Sequence, residues 1–229
     1  MIKYNKLYYA SLQLHDSKKL NFRKRNMNMS IAKHYSGGLT REQFLFYEIR
    51  TVASLVSENV SRDEIYIRVA QENLFQYPTE RMIRSMTNIC FKRIDALASQ
   101  SLTEQIAKAS ATVAKQINLY AIMRENGVVY DFMTDVIGEK FRTQQMDFSH
   151  KDINCFLDTL QEYYPAASDW SESTRGKIRQ VITRFLVECE YLDTVRSQAL
   201  RPVFLFPELE EGIRELGDES ALCAFNCFH

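Results

Sequence analysis

The side chains best placed for chemistry lie between Ser173 and Tyr191. Ile178, Val181, Ile182, Phe185, Leu186 and Cys189 recur at helical spacing and make one apolar side. Arg175, Lys177, Arg179, Gln180, Thr183 and Arg184 fall on the other side, concentrated in the first three turns. Long cationic side chains on such a face reach phosphate oxygens, and Arg and Gln also match base edges in a major groove. A surface helix with a solvated charged face carries the same pattern, so periodicity alone leaves both readings open.

A second stretch, Pro78 to Leu97, repeats the design behind a helix–break–helix pattern. Met82, Met86, Ile89, Cys90, Ile94 and Leu97 form an apolar stripe; Arg81, Arg84, Ser85, Asn88 and Lys92 form a polar one. A third basic feature is an arm containing Lys18, Lys19, Arg23, Lys24 and Arg25. The chain as a whole is neutral, with 29 Lys plus Arg against 29 Asp plus Glu, yet residues 1–40 carry +7 and residues 207–229 carry −5. Such asymmetry suits an anion-binding arm and a solvating or self-contacting tail. A plain solvated loop accounts for the arm equally well.

Enzyme signatures are missing. There is no Walker A loop, no dinucleotide-binding glycine pattern and no H-E-x-x-H. The G-x-S-x-G elbow of serine hydrolases is absent, and the four histidines are scattered, so no catalytic residue and no cofactor is assigned. Five cysteines do not read as a disulfide framework. Cys223, Cys227 and His229 make C-x3-C-x-H, but a closed structural zinc site needs four ligands, and no metal is expected. Of the 12 Tyr and 14 Phe, most lie at core spacing. Tyr4, Tyr8 and Tyr9, interleaved with Lys3 and Lys6, suit either base stacking or a short edge strand.

Composition bounds the scaffold. A chain of 229 residues with 45% hydrophobic and 25% charged residues is ordinary globular material. With 7 Gly and 4 Pro there is little for the turns of a many-stranded β fold. No run approaches the ~20 apolar residues of a membrane helix, and the first residues lack the apolar core of a signal peptide. A cytoplasmic protein is expected, with no membrane contact and no small-molecule substrate.

The elements that must position the basic faces are mostly helical. Thr40 caps a first helix through Phe44, Leu45, Tyr47, Ile49, Val52, Leu55 and Val56. Ser61 and Glu64 make a capping box for a second, and Pro78 opens the third in its first turn. Ser101 and Glu104 open a long helix ending at Asn126-Gly127, where Gly127 serves as a left-handed C′ residue. Val128 to Phe141 continues helical, weakened by Gly138, and Ser149 with Asp152 starts another helix. After the 173–191 helix, Tyr191-Leu192-Asp193 and Leu200 to Phe206 read as two short strands. Three helices and a hairpin are the order of a winged helix-turn-helix. The expected fold is therefore mainly α, with helix-turn-helix-like modules and a small C-terminal β-hairpin. The expected division is a basic arm (1–39), a helical module (40–127), a winged-helix-like module (128–213) and an acidic, Cys-containing tail (214–229).

Several stretches resemble a known family. Glu72-Asn73-Leu74-Phe75 with Pro78-Thr79-Glu80-Arg81, Tyr130-Asp131-Phe132-Met133, and above all Asp169-Trp170-Ser171-Glu172-Ser173-Thr174-Arg175 with Lys177-Ile178-Arg179-Gln180-Val181 are similar to the BrxA family of BREX phage-defence systems. Leu186-Val187-Glu188, Tyr191-Leu192, Leu200-Arg201-Pro202 and Phe206-Pro207-Glu208-Leu209 extend the likeness, which covers about Tyr35 to Ile213. The resemblance implies a small helical cytoplasmic protein that binds double-stranded DNA through helix-turn-helix-like modules. It also implies genes for a methyltransferase, an ATPase and a phosphatase-like protein nearby. The family has been likened to the antitermination factor NusB, which implies RNA or protein contacts. It supplies no base-reading residues to transfer. Two departures stand out. Ala10-Ser11-Leu12 and Ser36-Gly37-Gly38-Leu39 are separated by the basic insertion, and the Cys-containing end is particular to this chain. The function expected is that of a non-catalytic DNA-binding component of such a system. The rivals are an assembly scaffold for the other defence proteins and a NusB-like RNA-binding factor; an enzyme would require a deep pocket with converging polar groups.

Overall fold

Short side-chain caps set most of the boundaries in this chain. A computed structural model describes residues 37–41 and 43–228. A 3-10 turn at Gly37–Arg41 is followed by α1 (Phe46–Ser57), α2 (Arg62–Gln71), α3 (Glu80–Leu97), α4 (Gln100–Lys108) and α5 (Ala111–Glu125). Next, α6 (Gly127–Asp131), a π-helical stretch (Phe132–Ile137) and α7 (Gly138–Arg142) run on without interruption. The chain continues through α8 (His150–Tyr163), α9 (Pro165–Ser168), α10 (Glu172–Glu188) and α11 (Pro207–Glu215) to a closing 3-10 helix, Glu219–Phe225.

The caps explain where the helices start. Ser61 Oγ accepts from the Glu64 N–H at 3.3 Å, and Thr79 Oγ1 accepts from the Met82 N–H at 3.3 Å. Ser149 and Asp152 form a reciprocal capping box, with Asp152 Oδ2 accepting from the Ser149 N–H at 2.7 Å. Each satisfies a backbone donor that would otherwise be left without a partner in the first turn.

Several expected boundaries are corrected. Helix α1 begins at Phe46 rather than directly after Thr40. Pro78 stands one residue before the cap of α3, not inside its first turn. The long helix expected from Ser101 is two helices. Ser99 caps α4, Ala109 is extended (φ −70°, ψ 172°), and Ser110 caps α5 by accepting from the Val113 N–H at 3.4 Å. Gly127 is not a left-handed C′ residue. Asn126 ends α5 and its Oδ1 accepts from the Val128 N–H at 3.0 Å, so Gly127 is the first helical residue of α6.

The larger correction concerns the C-terminal hairpin and the winged-helix architecture it implied. No strand exists among the described residues; an isolated antiparallel bridge joins Asp147 to Ala199. The Leu200 N–H donates to Met146 O at 2.7 Å and the Phe148 N–H to Gln198 O at 2.9 Å. The segment thus pairs with the loop before α8, and the Arg201 N–H bond to Tyr191 O at 2.9 Å does not extend into a ladder with Tyr191–Asp193. Its apolar residues, Leu192, Leu200 and Val203, bury one by one against the helices. An apolar run flanked by turns fits either outcome from the sequence alone.

At the centre lies α5, buried on all sides from Val113 to Met123 apart from Lys115, as a helix enclosed by others must be. Helices α1, α3 and α4 pack on it and on one another. The acidic C-terminal region joins the core: α11 lies on α4 and α5, and the closing 3-10 helix lies on the π stretch and α7, burying Ala221, Leu222, Ala224 and Phe225. Gly138 permits that approach, since a Cβ there would stand 2.7 Å from Cys223 Sγ.

Candidate nucleic-acid interface

Helix α3 turns a basic surface to solvent. Between Arg81 and Ile94 it contains no Asp or Glu, and Arg81, Arg84, Ser85, Asn88 and Lys92 are all exposed. Its buried side differs in phase from the expected stripe. Ile83, Thr87, Cys90, Phe91, Arg93, Ile94 and Leu97 face the core, whereas Met82 is exposed and Met86 and Ile89 are half-buried. Arg93, on that buried side, is 0% exposed. Its guanidinium donates to Phe44 O at 2.8 Å and Gln43 O at 2.7 Å, while Asn118 Nδ2 donates to Phe44 O at 2.8 Å. These bonds hold the residues that precede α1, including Leu45 in the left-handed region (φ 54°).

Helix α2 braces α3 from the side. Arg62 pairs with Asp95 and lies over the Phe91 ring at 4.9 Å, and Tyr66 packs on Phe91 and donates its hydroxyl hydrogen to Asn88 Oδ1. Along the exposed face Arg84 is held by Glu80 at 2.8 Å, a pair one turn apart. Arg81 and Lys92 form no ion pair among the described residues.

Helix α10 is arranged differently. It too has no Asp or Glu from Ser173 to Val187, but the fold divides its polar residues. Arg175, whose side chain is 18% exposed, donates to Gln161 Oε1 at 2.9 Å and pairs with Asp158 on α8. Arg179 donates to Asn154 Oδ1 at 3.0 Å, also on α8. Thr183 is buried and donates to Arg179 O at 2.8 Å. Lys177, Gln180 and Arg184 remain exposed on one stripe, with no ion pair at Lys177 or Arg184 among the described residues. Beside this stripe a cleft of about 240 Å³ is lined by Phe44, Leu45, Val181, Arg184, Phe185 and Val195.

Lys18, Lys19, Arg23, Lys24 and Arg25 lie outside the described residues, as do Tyr4, Tyr8, Tyr9 and His229. Among the described residues no group of three or more His, Cys, Asp or Glu is gathered for a metal ion. Cys223 Sγ instead lies 3.2 Å from Ser220 O. No described helix is long and apolar enough to cross a membrane.

One polar cluster was not foreseen. Asp218, 4% exposed, accepts from the Tyr120 hydroxyl at 3.0 Å and from the Tyr130 hydroxyl at 2.5 Å; Tyr130 Oη also lies 2.7 Å from Ser220 Oγ. Arg124 donates to Tyr120 Oη at 3.2 Å. Burial, followed by the Asp218 carboxylate, pushes both phenols well above their ordinary value, so they stay protonated donors. The cluster ties the C-terminal region to α5 and α6 across some ninety residues of sequence, a separation that no local spacing signals.

A BrxA family model matches residues 33–217. The BREX protein BrxA of Bacillus cereus (strain H3081.97) is 27% identical over 185 residues, covering 80% of this chain and 92% of that one. The BREX protein BrxA of Escherichia coli O9:H4 (strain HS) is 23% identical over 190 residues, 83% of this chain and 89% of that one. The crystal structure of an uncharacterized protein from Magnetospirillum magneticum shares the fold, with a TM-score of 0.72 at 21% identity over 83% of this chain and 97% of that one. With a helical scaffold of matching fold and a family match over most of its length, the chain belongs to the BrxA family.

Proposed function

We propose that the protein is a non-catalytic, double-stranded DNA-binding component of a BREX phage-defence system, acting in the cytoplasm. The observation that carries this reading is the pair of exposed, acid-free stripes, Arg81–Arg84–Asn88–Lys92 on α3 and Lys177–Gln180–Arg184 on α10. No acid interrupts either stripe, and Arg84, paired with Glu80, is the one cation of the two stripes held by an ion pair among the described residues. A helix of this diameter fits the major groove, where Arg and Lys reach phosphates and base edges alike. Resemblance to relatives named BREX protein BrxA supplies the system, and the modules at 40–127 and 128–213 supply one contact helix each.

The test is fluorescence anisotropy of a labelled mixed-sequence duplex across a salt series. Four cations free of ion pairs, with or without the basic arm, give a slope of log affinity against log salt of about −3 to −6, at ~0.9 per phosphate. No binding at low salt overturns the reading.

One observation favours a second reading, an assembly surface for other BREX proteins. Phe204 is 84% exposed on a backbone fixed by Gln116, whose Nε2 donates to Phe204 O at 2.8 Å and whose Oε1 accepts from the Phe206 N–H at 3.3 Å. Under that reading Phe204→Asp abolishes co-purification with the neighbouring proteins and leaves the salt slope intact.

A further inference from the structure

Asn88 occupies the centre of the α3 stripe, one turn from Arg84 and one from Lys92. It is the residue on that face whose orientation is fixed from another helix. The hydroxyl of Tyr66 on α2 donates to Asn88 Oδ1. Tyr66 is itself held, its ring 5.2 Å from that of Phe91, and the Arg62 guanidinium covers the same Phe91 ring and pairs with Asp95. A side-chain amide offers an acceptor on one end and two donors on the other. With the oxygen taken by a phenol, the exposed end is the NH2.

Resting on the reading that α3 meets duplex DNA, we infer that Tyr66 and Asn88 form a pre-oriented donor for an acceptor oxygen or nitrogen of the duplex at the middle of the interface. Asn88 makes the contact and Tyr66 is the positioning residue. The acceptor is a phosphate oxygen or a base-edge acceptor, guanine O6 or N7 or thymine O4. The bidentate adenine contact is disfavoured, because it needs the amide oxygen as well as the NH2. Burial raises the Tyr66 phenol above its ordinary value, with Arg62 opposing and Asp95 adding to the shift, so the hydroxyl keeps its proton at neutral pH. The bond also lowers the entropy lost on binding, since the amide is ordered beforehand.

Anisotropy titration of the full chain against a mixed-sequence duplex tests this with five variants. Asn88→Ala loses about fivefold in affinity, the worth of one hydrogen bond of ~1 kcal/mol, and leaves the salt slope unchanged. Asn88→Asp loses more than Ser85→Asp, which adds the same charge to the same face one turn away. Tyr66→Phe loses about two- to threefold with an unchanged melting temperature, an effect that a merely structural tyrosine does not produce. Selection from randomised duplexes separates the two acceptors. Enrichment of guanine or thymine at one position that Asn88→Ala abolishes identifies a base edge, and a uniform loss across sequences identifies a phosphate. Asn88→Asp no worse than Ser85→Asp overturns the inference. So does Tyr66→Phe with wild-type affinity, or with a lowered melting temperature as its principal effect. The double reversal Arg81→Glu/Lys92→Glu is the separate control: if it binds as tightly as wild type, α3 is not the DNA face and the underlying reading fails with it.

Discussion

Helices α3 and α10 carry the same signal in the sequence, an acid-free basic run on an amphipathic helix, and the fold uses them differently. On α3 the outward residues stay outward, and a further cation, Arg93, is buried completely and donates to the carbonyls of Gln43 and Phe44. On α10 two of four cations turn sideways to α8: Arg175 to Asp158 and Gln161, Arg179 to Asn154. A neighbouring helix with acceptors at the right height converts a binding residue into a packing residue. Net charge on a helix therefore overstates what it offers to a ligand. The number that matters is the count of cations left exposed and not held by an acceptor on a neighbouring helix.

The largest effect that would break this comparison is kinetic. Cys90 lies on the buried side of α3 and Cys189 at the C-terminal end of α10, both buried, while Cys155 on α8 is exposed. A thiol reagent at pH 8 should label Cys155 at once and the other two at least about a thousandfold more slowly, through opening of the fold. If Cys90 and Cys189 differ between themselves, the faster one marks the helix that detaches more readily. Burial pushes the Cys90 thiol up to about 12 and raises that of Cys189 as well. A raised folded-state value means that the protonated form stabilises the fold. For Cys90 this contribution is present below pH 9 and lost as pH rises from there through about 12, and urea melts of Cys90→Ala against wild type across that window measure it.

Charge reversal comes next. Arg81→Glu with Lys92→Glu, and separately Lys177→Glu with Arg184→Glu, should each weaken duplex binding by roughly a hundredfold, from two charge-assisted contacts of about 1.5 kcal/mol apiece. A loss confined to the first pair would leave α10 as a scaffold helix. Arg175→Ala should do the reverse of Lys177→Ala. It should cost about 1–2 kcal/mol of stability, its partner Asp158 being largely exposed, and change affinity less than twofold in the folded protein. Thermal melts beside titrations separate the two.

The smallest effect sharpens the contrast within the helices. Gly176 on α10 has only Arg179 Nη2 near the position of a Cβ, at 3.9 Å. Gly176→Ala should therefore stabilise the protein by about 0.5–1 kcal/mol. Gly138→Ala should destabilise it, because Cys223 fills that space. Two calorimetric scans decide both signs.

Much of this architecture was readable along the chain, and the failures have physical causes. The Ser149–Asp152 box and the cap at Ser61 are local, decided by three or four residues, and both stand where the sequence placed them. The exposed residues of α3 were read correctly from periodicity, and of its expected core stripe Cys90, Ile94 and Leu97 are buried while Met82 is exposed and Met86 and Ile89 are half-buried. The carbonyls of Gln43 and Phe44, some fifty residues away, accept from the buried Arg93 guanidinium there. The hairpin failed for a related reason. The run from Leu200 to Phe206 has strand-like composition, but a strand needs a ladder partner, and the backbone opposite residues 198–200 is the loop at 146–148.

The sequence by itself determined the class of the protein: a mainly helical chain, the caps at Ser61 and Ser149, its two basic helices and, through the segments around Trp170 and Tyr130, its family. These rest on short-range physics, helical periodicity and side-chain capping, or on direct likeness of residues. Tertiary structure alone decided which cations remain available, because that depends on acceptors supplied by other helices. It alone placed Asp218 between Tyr120 and Tyr130 and so folded the acidic C-terminal region into the core. It alone turned Asn88 by a bond from Tyr66, since hydrogen bonds between distant residues leave no mark in local spacing.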